Sequence, residues 1–566
     1  MLVSIILATF TTVFVGLFLA GSGIAARQLK SPLPVPRWAL VIPGLLLLFG
    51  RIPSITYSAQ LNTDESQLLA QGLTLAKNPR FWQSVDGTTT GPLASFVLTW
   101  PSLFGFETGY MQARITGLVL ILISLYLFYK ALSVRFRAGV AYVGLLISTA
   151  FFAFATHFDL VHYSSELVAL PLIAVLWWQW MRLLNNSSPL SASSWLWTGL
   201  LAGLTPFAKL QAVPVVGLLA LGLVVSLLWS GKPLPNANRR AASVFVVGGL
   251  LPSFLVVGYC LMFGVWDNFW TFYIRANLSN YHELQQHLGL PMHRSMLTKL
   301  SKLPHFLWVE PTVRYLFCLG LSSAVVLIIA WRRWLNKGAR AHTFALIAWL
   351  LGSFYVAIAP GTEFHHHLLF IVLPVTWLVS TAFAVTLSRN QANYIMGLYG
   401  IGQLATLLPM WTYGVAPFLY NPYLATTLHN RTAPPSAVGT YLREHAQEGD
   451  QLAVWGWNTT YYVEAQLEQG VSENHSFRSA VDHSLQSAYL AKYMRDLKRN
   501  QPVWIVDATG PASFVLSDST RFRMARYPCL KQYLRNQYRL QAIVEGQAIF
   551  VRADRFPQDR PVTAMR

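Results

Sequence analysis

The sequence predicts a mostly α, polytopic helical membrane protein that ends in a small α/β domain. Three observations predict it. Apolar runs of about 20 residues follow one another up to residue 413. Only 11% of the 566 residues are charged, against roughly a quarter in a soluble domain. Beyond residue 413 the pattern changes to alternating helix and strand.

The apolar runs lie near 2–24, 38–56, 110–133, 138–156, 166–183, 194–208, 210–230, 241–263, 312–331, 342–359, 366–387 and 393–413, about twelve spans in all. Pro206 and Lys209 separate the sixth and seventh. The first run has no basic stretch before it and no small-residue cleavage site after it, which favours a retained helix over a signal peptide. A disordered chain, a collagen-like chain and a disulfide scaffold are excluded by the 54% hydrophobic content and the three widely spaced cysteines.

Charge then orients the chain. One set of alternate connections carries fifteen basic residues, from Arg27 to Arg389, and no acid. The opposite set carries all ten acidic residues before position 414. The positive-inside rule puts the basic set in the cytoplasm. Of the net charge of +19, +15 falls in residues 1–413, so its bulk is topological and no nucleic-acid surface is expected. Both chain ends are then outside. The expected organisation is a membrane domain, 1–413, and an extracytoplasmic α/β domain, 414–566.

In that last domain, PPSAVGTYLREHAQEGD reads as a helix, QLAVWGW as a strand and SLQSAYLAKYMRDLKRN as an amphipathic helix. PVWIVDA reads as a second strand, and YRLQAIVEGQAIFVRAD as a hairpin through Gly546. No internal repeat is visible.

Acids are scarce, so their positions matter. Two outer loops are long, 57–109 and 264–311, and long loops are more often functional than structural. Asp64 and Glu65 follow the second run directly, in TDES; Thr63 or Asp64 could equally cap a short surface helix over 65–76. Asp86 lies further along the same loop. The next outer loop, THFDLVHYSSE, brings together Asp159, His162, Tyr163 and Glu166, and one helix would put His162 and Glu166 on one face. Lys209 sits in an apolar stretch, either snorkelling to the interface or serving function. His365, His366 and His367 stand at a helix end; adjacent histidines cannot all share one helix face, and a metal site is open there although the ligand spacing does not mark one. Carboxylates, histidines and a lysine beside apolar surface suit a reaction on a lipid-borne anion.

These segments resemble the polytopic C-type (GT-C) glycosyltransferases that use polyprenyl-phosphate sugars, and within them the bacterial branch of the protein mannosyltransferase and aminoarabinose-transferase superfamily. The resemblance rests on TDES (63–66), DGTTTGPLASFVLTWPSLFG (86–105), GLLAGLTPFAKLQAVPV (199–215), HHHLLFIVLP (365–374) and the start of the tail domain. It implies Asp64 as catalytic base, with Glu65 beside it, and Glu166 or Asp159 as a second acid. It implies Lys209 and His366, with His367 as neighbour, at the donor phosphate. The chain departs from the pattern in an extra N-terminal helix and in GPL where some relatives carry a basic residue before the proline.

The expected activity is transfer of a hexosyl or pentosyl group from a polyprenyl-phosphate donor to a lipid, glycan or protein hydroxyl, on the outer face of a bacterial cytoplasmic membrane and with inversion. The partners are the donor, the acceptor and membrane lipids. No cofactor is demanded by a motif; a divalent cation could assist the leaving phosphate. The alternative is a transporter or flippase of a lipid-linked glycan, which would place ionisable residues near the midplane and show repeated halves.

Overall fold

The computed structural model describes residues 2–30, 33–185, 191–229, 235–288, 295–330, 340–387, 434–511, 513–556 and 563–565. The expected run at 393–413 lies outside them. The helices up to residue 387 are α1 (Leu2–Lys30), α2 (Val41–Thr56), α3 (Thr63–Lys77), α4 (Tyr110–Arg135), α5 (Ala138–Phe154), α6 (Ser165–Leu184), α7 (Ala192–Gly203), α8 (Val213–Trp229), α9 (Pro235–Met262), α10 (Met296–Val309), α11 (Pro311–Ile329), α12 (Arg340–Ile358) and α13 (Leu369–Leu387). Among the described residues, nine helices are long and apolar enough to cross a membrane, and α5 is a shorter apolar helix.

The expected run 194–208 is not one helix. α7 stops at Gly203, Thr205–Ala208 forms a single turn, and Lys209 is extended (φ −156°, ψ 117°). Pro206 lacks an N–H and its ring would meet the carbonyl of Ala202 in a continuous helix, so it opens a new turn instead.

The chain divides into two compact units. The first comprises 1–57, 117–255 and 293–432; the second comprises 58–116, 256–292 and 433–566. In the first, α5 packs against α1, α2 and α13, and α13 packs against α11 and α12. The tryptophan-rich composition has a packing role here. Trp177 of α6 lies 4.2 Å from Trp349 of α12 and 5.0 Å from Trp377 of α13, ring centre to ring centre. Helices α7 and α9 approach through glycine: a Cβ at Gly203 would run into the Gly249 carbonyl. Small residues let helix backbones touch where lipid offers no hydrophobic drive.

In the second unit, α3 is part of the tail domain's core. Ala70 belongs to the same apolar cluster as Leu452, Val454, Tyr462 and Val506. The tail adds α14 (Ala437–His445), β1 (Gln451–Gly456), β2 (Glu468–Gln469), α15 (Gln486–Asn500), β3 (Trp504–Ala508), β4 (Tyr538–Val544), β5 (Gln547–Arg552) and β6 (Thr563–Met565). The sheet order is β2-β1-β3-β5-β4-β6. β1 pairs in parallel with β2 and β3. β3 and β5 are antiparallel, as are β4 and β5. The central strands β1 and β3 are buried almost throughout, which is why they read as continuous apolar runs. The β4–β5 hairpin turns through Glu545 (φ 49°) and Gly546 (φ 78°), two left-handed residues whose twist matches a tight hairpin.

Candidate functional site

Four elements of the first unit bring one polar cluster together. α6 begins at Ser165, so Glu166 lies in its first turn, where the helix dipole favours an acid. Lys209 sits at the extended break after α7 and is 6% exposed; its Nζ lies 2.9 Å from Glu166 Oε1. It is therefore a buried, paired cation rather than a snorkelling one. Phe158–Val161 forms one turn carrying Asp159. His365–Leu368 forms a 3-10 turn leading into α13.

His366 joins these parts. Its Nδ1 donates to Asp159 Oδ1 at 3.1 Å, and its Nε2 lies 3.9 Å from Glu166 Oε1. The His365 amide donates to Asp159 Oδ2 at 2.7 Å. Burial acts to raise the Asp159 carboxyl, but His366, His162 and that amide outweigh it and hold the group well below the ordinary carboxylate range.

His162 and Glu166 do not share a helix face as expected: His162 is extended (ψ 163°) and so is Ser164, so the chain breaks between them. Both still reach the cluster, with the His162 ring 5.7 Å from that of His366. Tyr163 is fully buried in the same segment. All three histidines are engaged: the His365 ring lies 4.4 Å from that of His157, and His367 is buried beside His366.

Among the described residues, three overlapping groups could hold a metal ion: His157, Asp159 and His365; Asp159, His162 and His366; and Glu166, His366 and His367, each with ligand atoms within 4.8 Å of one another. Mixed imidazole and carboxylate donors suit an ion such as zinc. His162 Nε2 is buried without a hydrogen-bond partner, as a waiting ligand would be.

In the second unit, Asp64 stands in the first turn of α3. The cap is Asn62, not Thr63 or Asp64: Asn62 is extended and its Oδ1 accepts from the Asp64 amide at 2.9 Å. The Asp64 side chain is thereby left free of capping. Its Oδ1 accepts from Gln67 Nε2 at 3.2 Å, and it is half-buried. The helix is not a surface one, since residues 65–75 are all buried.

Glu65 differs sharply from its neighbour. Arg114 Nε and Nη2 clamp its two oxygens at 2.9 and 2.7 Å, with both side chains buried. That bidentate pair commits Glu65 to holding the start of α4 against α3. Asp86 is likewise occupied. Its Oδ1 accepts from the Thr88 amide at 3.1 Å, and its Oδ2 lies 3.5 Å from Lys492 Nζ of α15.

Sequence reasoning missed Arg114, His157 and Gln67. It also missed Arg51, buried in α2. Two of these had a signal: an arginine inside an apolar run is a functional candidate by default. Gln67 had none, since only the fold shows which way it points.

No protein-family model matches the sequence, and no curated protein sequence matches it. Among solved structures, the chain is similar to the crystal structure of ArnT from Cupriavidus metallidurans bound to undecaprenyl phosphate, at 13% identity and TM-score 0.52 over 92% of this chain and 99% of that one. It is similar to the apo form of the same protein at 14% identity and TM-score 0.53, with the same coverage. At this identity the likeness shows the fold. That fold is mostly helical with a small C-terminal sheet, as expected from the sequence.

Proposed function

We propose that this chain is an integral membrane glycosyltransferase that moves a sugar from a polyprenyl-phosphate donor to an acceptor hydroxyl. The observation that carries the reading is the buried cluster of Asp159, His162, Glu166, Lys209 and His366 in a fold shared with a protein that has been crystallised with undecaprenyl phosphate. Soluble nucleotide-sugar chemistry would call for a glycine-rich phosphate loop, and none is visible in the sequence.

The chemistry is a single displacement. The resemblance of TDES assigns the proton of the acceptor hydroxyl to Asp64, whose side chain Gln67 holds. The acceptor oxygen attacks the anomeric carbon from the side opposite the phosphate, and the bond from that carbon to the phosphate oxygen breaks. Its electron pair leaves with the polyprenyl phosphate, and the anomeric configuration inverts. Lys209, with His366 beside it, is assigned to the charge that develops on the departing phosphate. A divalent ion would be held by Asp159, His162 and His366 and would supply further positive charge there. Glu65 positions Asp64 through its pair with Arg114. The charge split of the loops assigns the reaction to the face of the membrane opposite the cytoplasm.

Purified protein incubated with a radiolabelled polyprenyl-phosphate sugar and a candidate acceptor should release free polyprenyl phosphate and form product. Movement of the intact donor across liposomes without bond cleavage would replace the transferase with a flippase.

A further inference from the structure

The cluster of the first unit leaves one charge unaccounted for. Lys209 is neutralised by Glu166 at 2.9 Å. Lys299, also buried, donates its Nζ to the Ala359 carbonyl. Arg51, in α2 and 4% exposed, has no carboxylate within ion-pair distance among the described residues. Its Nη1 donates to the Leu160 carbonyl at 3.0 Å, while Nε and Nη2 are buried without any hydrogen-bond partner. A guanidinium never gives up its charge in a protein, so burial cannot neutralise it. An uncompensated buried cation is strongly unfavourable and calls for an anion.

The surroundings carry the same deficit. Arg51 is held by Leu160, the neighbour of Asp159, and further along that segment His162 Nε2 and Ser164 Oγ are also buried without partners. Arg51 lies five residues before the end of α2, roughly 7 to 8 Å along the helix axis from it.

We infer that Arg51 is a lipid-phosphate site: its Nε and Nη2 take two phosphate oxygens in a bidentate fork, with the Ser164 hydroxyl as a further donor. The inference rests on the lipid-phosphate reading above and deepens it. It assigns the ground-state grip on the phosphate to Arg51, a cation with no carboxylate partner among the described residues, and not to Lys209, whose charge Glu166 already meets.

The test is equilibrium binding of undecaprenyl phosphate to the purified full-length protein in detergent. Dioleoyl phosphatidylglycerol and inorganic phosphate are measured beside it. Arg51→Met, which keeps much of the volume, should bind undecaprenyl phosphate about ten- to a hundredfold more weakly. Without lipid it should be no less heat-stable than the parent, because an unpaired charge has been removed. Arg51→Lys keeps the charge but loses the fork and should fall between the two; it also serves if Arg51→Met fails to fold. Equal affinity in the parent and both variants would overturn the inference while leaving the transferase reading intact. Arg51-dependent binding of phosphatidylglycerol but not of undecaprenyl phosphate would support a lipid-phosphate site and overturn the polyprenyl donor. Binding of no phosphate lipid at all would overturn both.

Discussion

Lys209 and Glu166 are both nearly sealed from solvent, and each answers the other's charge. Removing one partner leaves the other buried alone, which costs about 3–5 kcal/mol. Lys209→Leu should therefore lower the thermal midpoint of the purified protein markedly, and adding Glu166→Gln should recover most of the loss. A single variant as stable as the parent would mean that Lys209 is not paired in this way. Asp64 has the opposite character, half-buried and outside any ion pair among the described residues. Asp64→Asn keeps its size and its bond from Gln67 but loses basicity. Turnover should fall about 10²–10⁴-fold with donor affinity retained. Near-normal turnover in that variant would place the base elsewhere. In sequence the motif resemblance already singled out Asp64 as the base, with Glu65 beside it. What ties Glu65 down is Arg114, 49 positions away, which no local pattern could associate with it.

At the scale of elements, α3 illustrates how a cap frees a side chain. Asn62→Ala should cost about 1 kcal/mol of local stability, read as faster amide exchange over the first turn of α3, whereas Asn62→Asp should be close to neutral. Unchanged exchange would show that the buried face alone holds the helix. A second case is the loop 472–479, which packs a buried network against α15. Ser472 Oγ accepts from Lys492 Nζ and donates to Asp496 Oδ2, both at 2.5 Å. Glu473 accepts from the Arg478 amide at 3.0 Å and from Ser479 Oγ at 2.5 Å. Burial, with Asp86 nearby, pushes the Glu473 carboxyl from 4.5 up to about 8. The folded chain thus keeps a proton that the unfolded chain has released. The stability this contributes is full below pH about 4.5 and is lost as pH rises through about 8. Between pH 5 and 9 the thermal midpoint should fall more steeply in the parent than in Glu473→Gln. Equal slopes would remove Glu473 from the pH dependence.

At the scale of the whole molecule, topology is the testable property. With the exposed Cys529 replaced by serine, a cysteine at Ala237, in the basic connection, should react with an impermeant reagent only after the membrane is broken. One at Ser487, an exposed position on α15, should react in intact cells. Labelling of Ala237→Cys in intact cells would invert the map and remove the reaction from the outer face. The compact units are not contiguous stretches of chain, since 58–116 and 256–292 group with the tail. Apolar-run counting could not foresee that grouping, because the residues that bind α3 to the sheet are separated from it by nearly 400 positions, as in the Thr74 to Gln469 hydrogen bond.

The sequence by itself determined the solvent in which most of the chain lives, the broad helical architecture and the strands of the tail. These follow from local properties: the length of an apolar run against bilayer thickness, the period of burial, and residues such as Gly546 that only certain turns accept. It also nominated nearly every member of the polar cluster, because a charge or histidine in an apolar context is costly enough to stand out. Tertiary structure alone decided who meets whom. It broke the helix expected at 194–208 and thereby exposed Lys209 to Glu166. It put Asp159 against His366, 207 positions away. It locked Glu65 with Arg114 and left Arg51 without a counter-charge. Pairing energies depend on distance and burial, and neither quantity exists until the chain has folded.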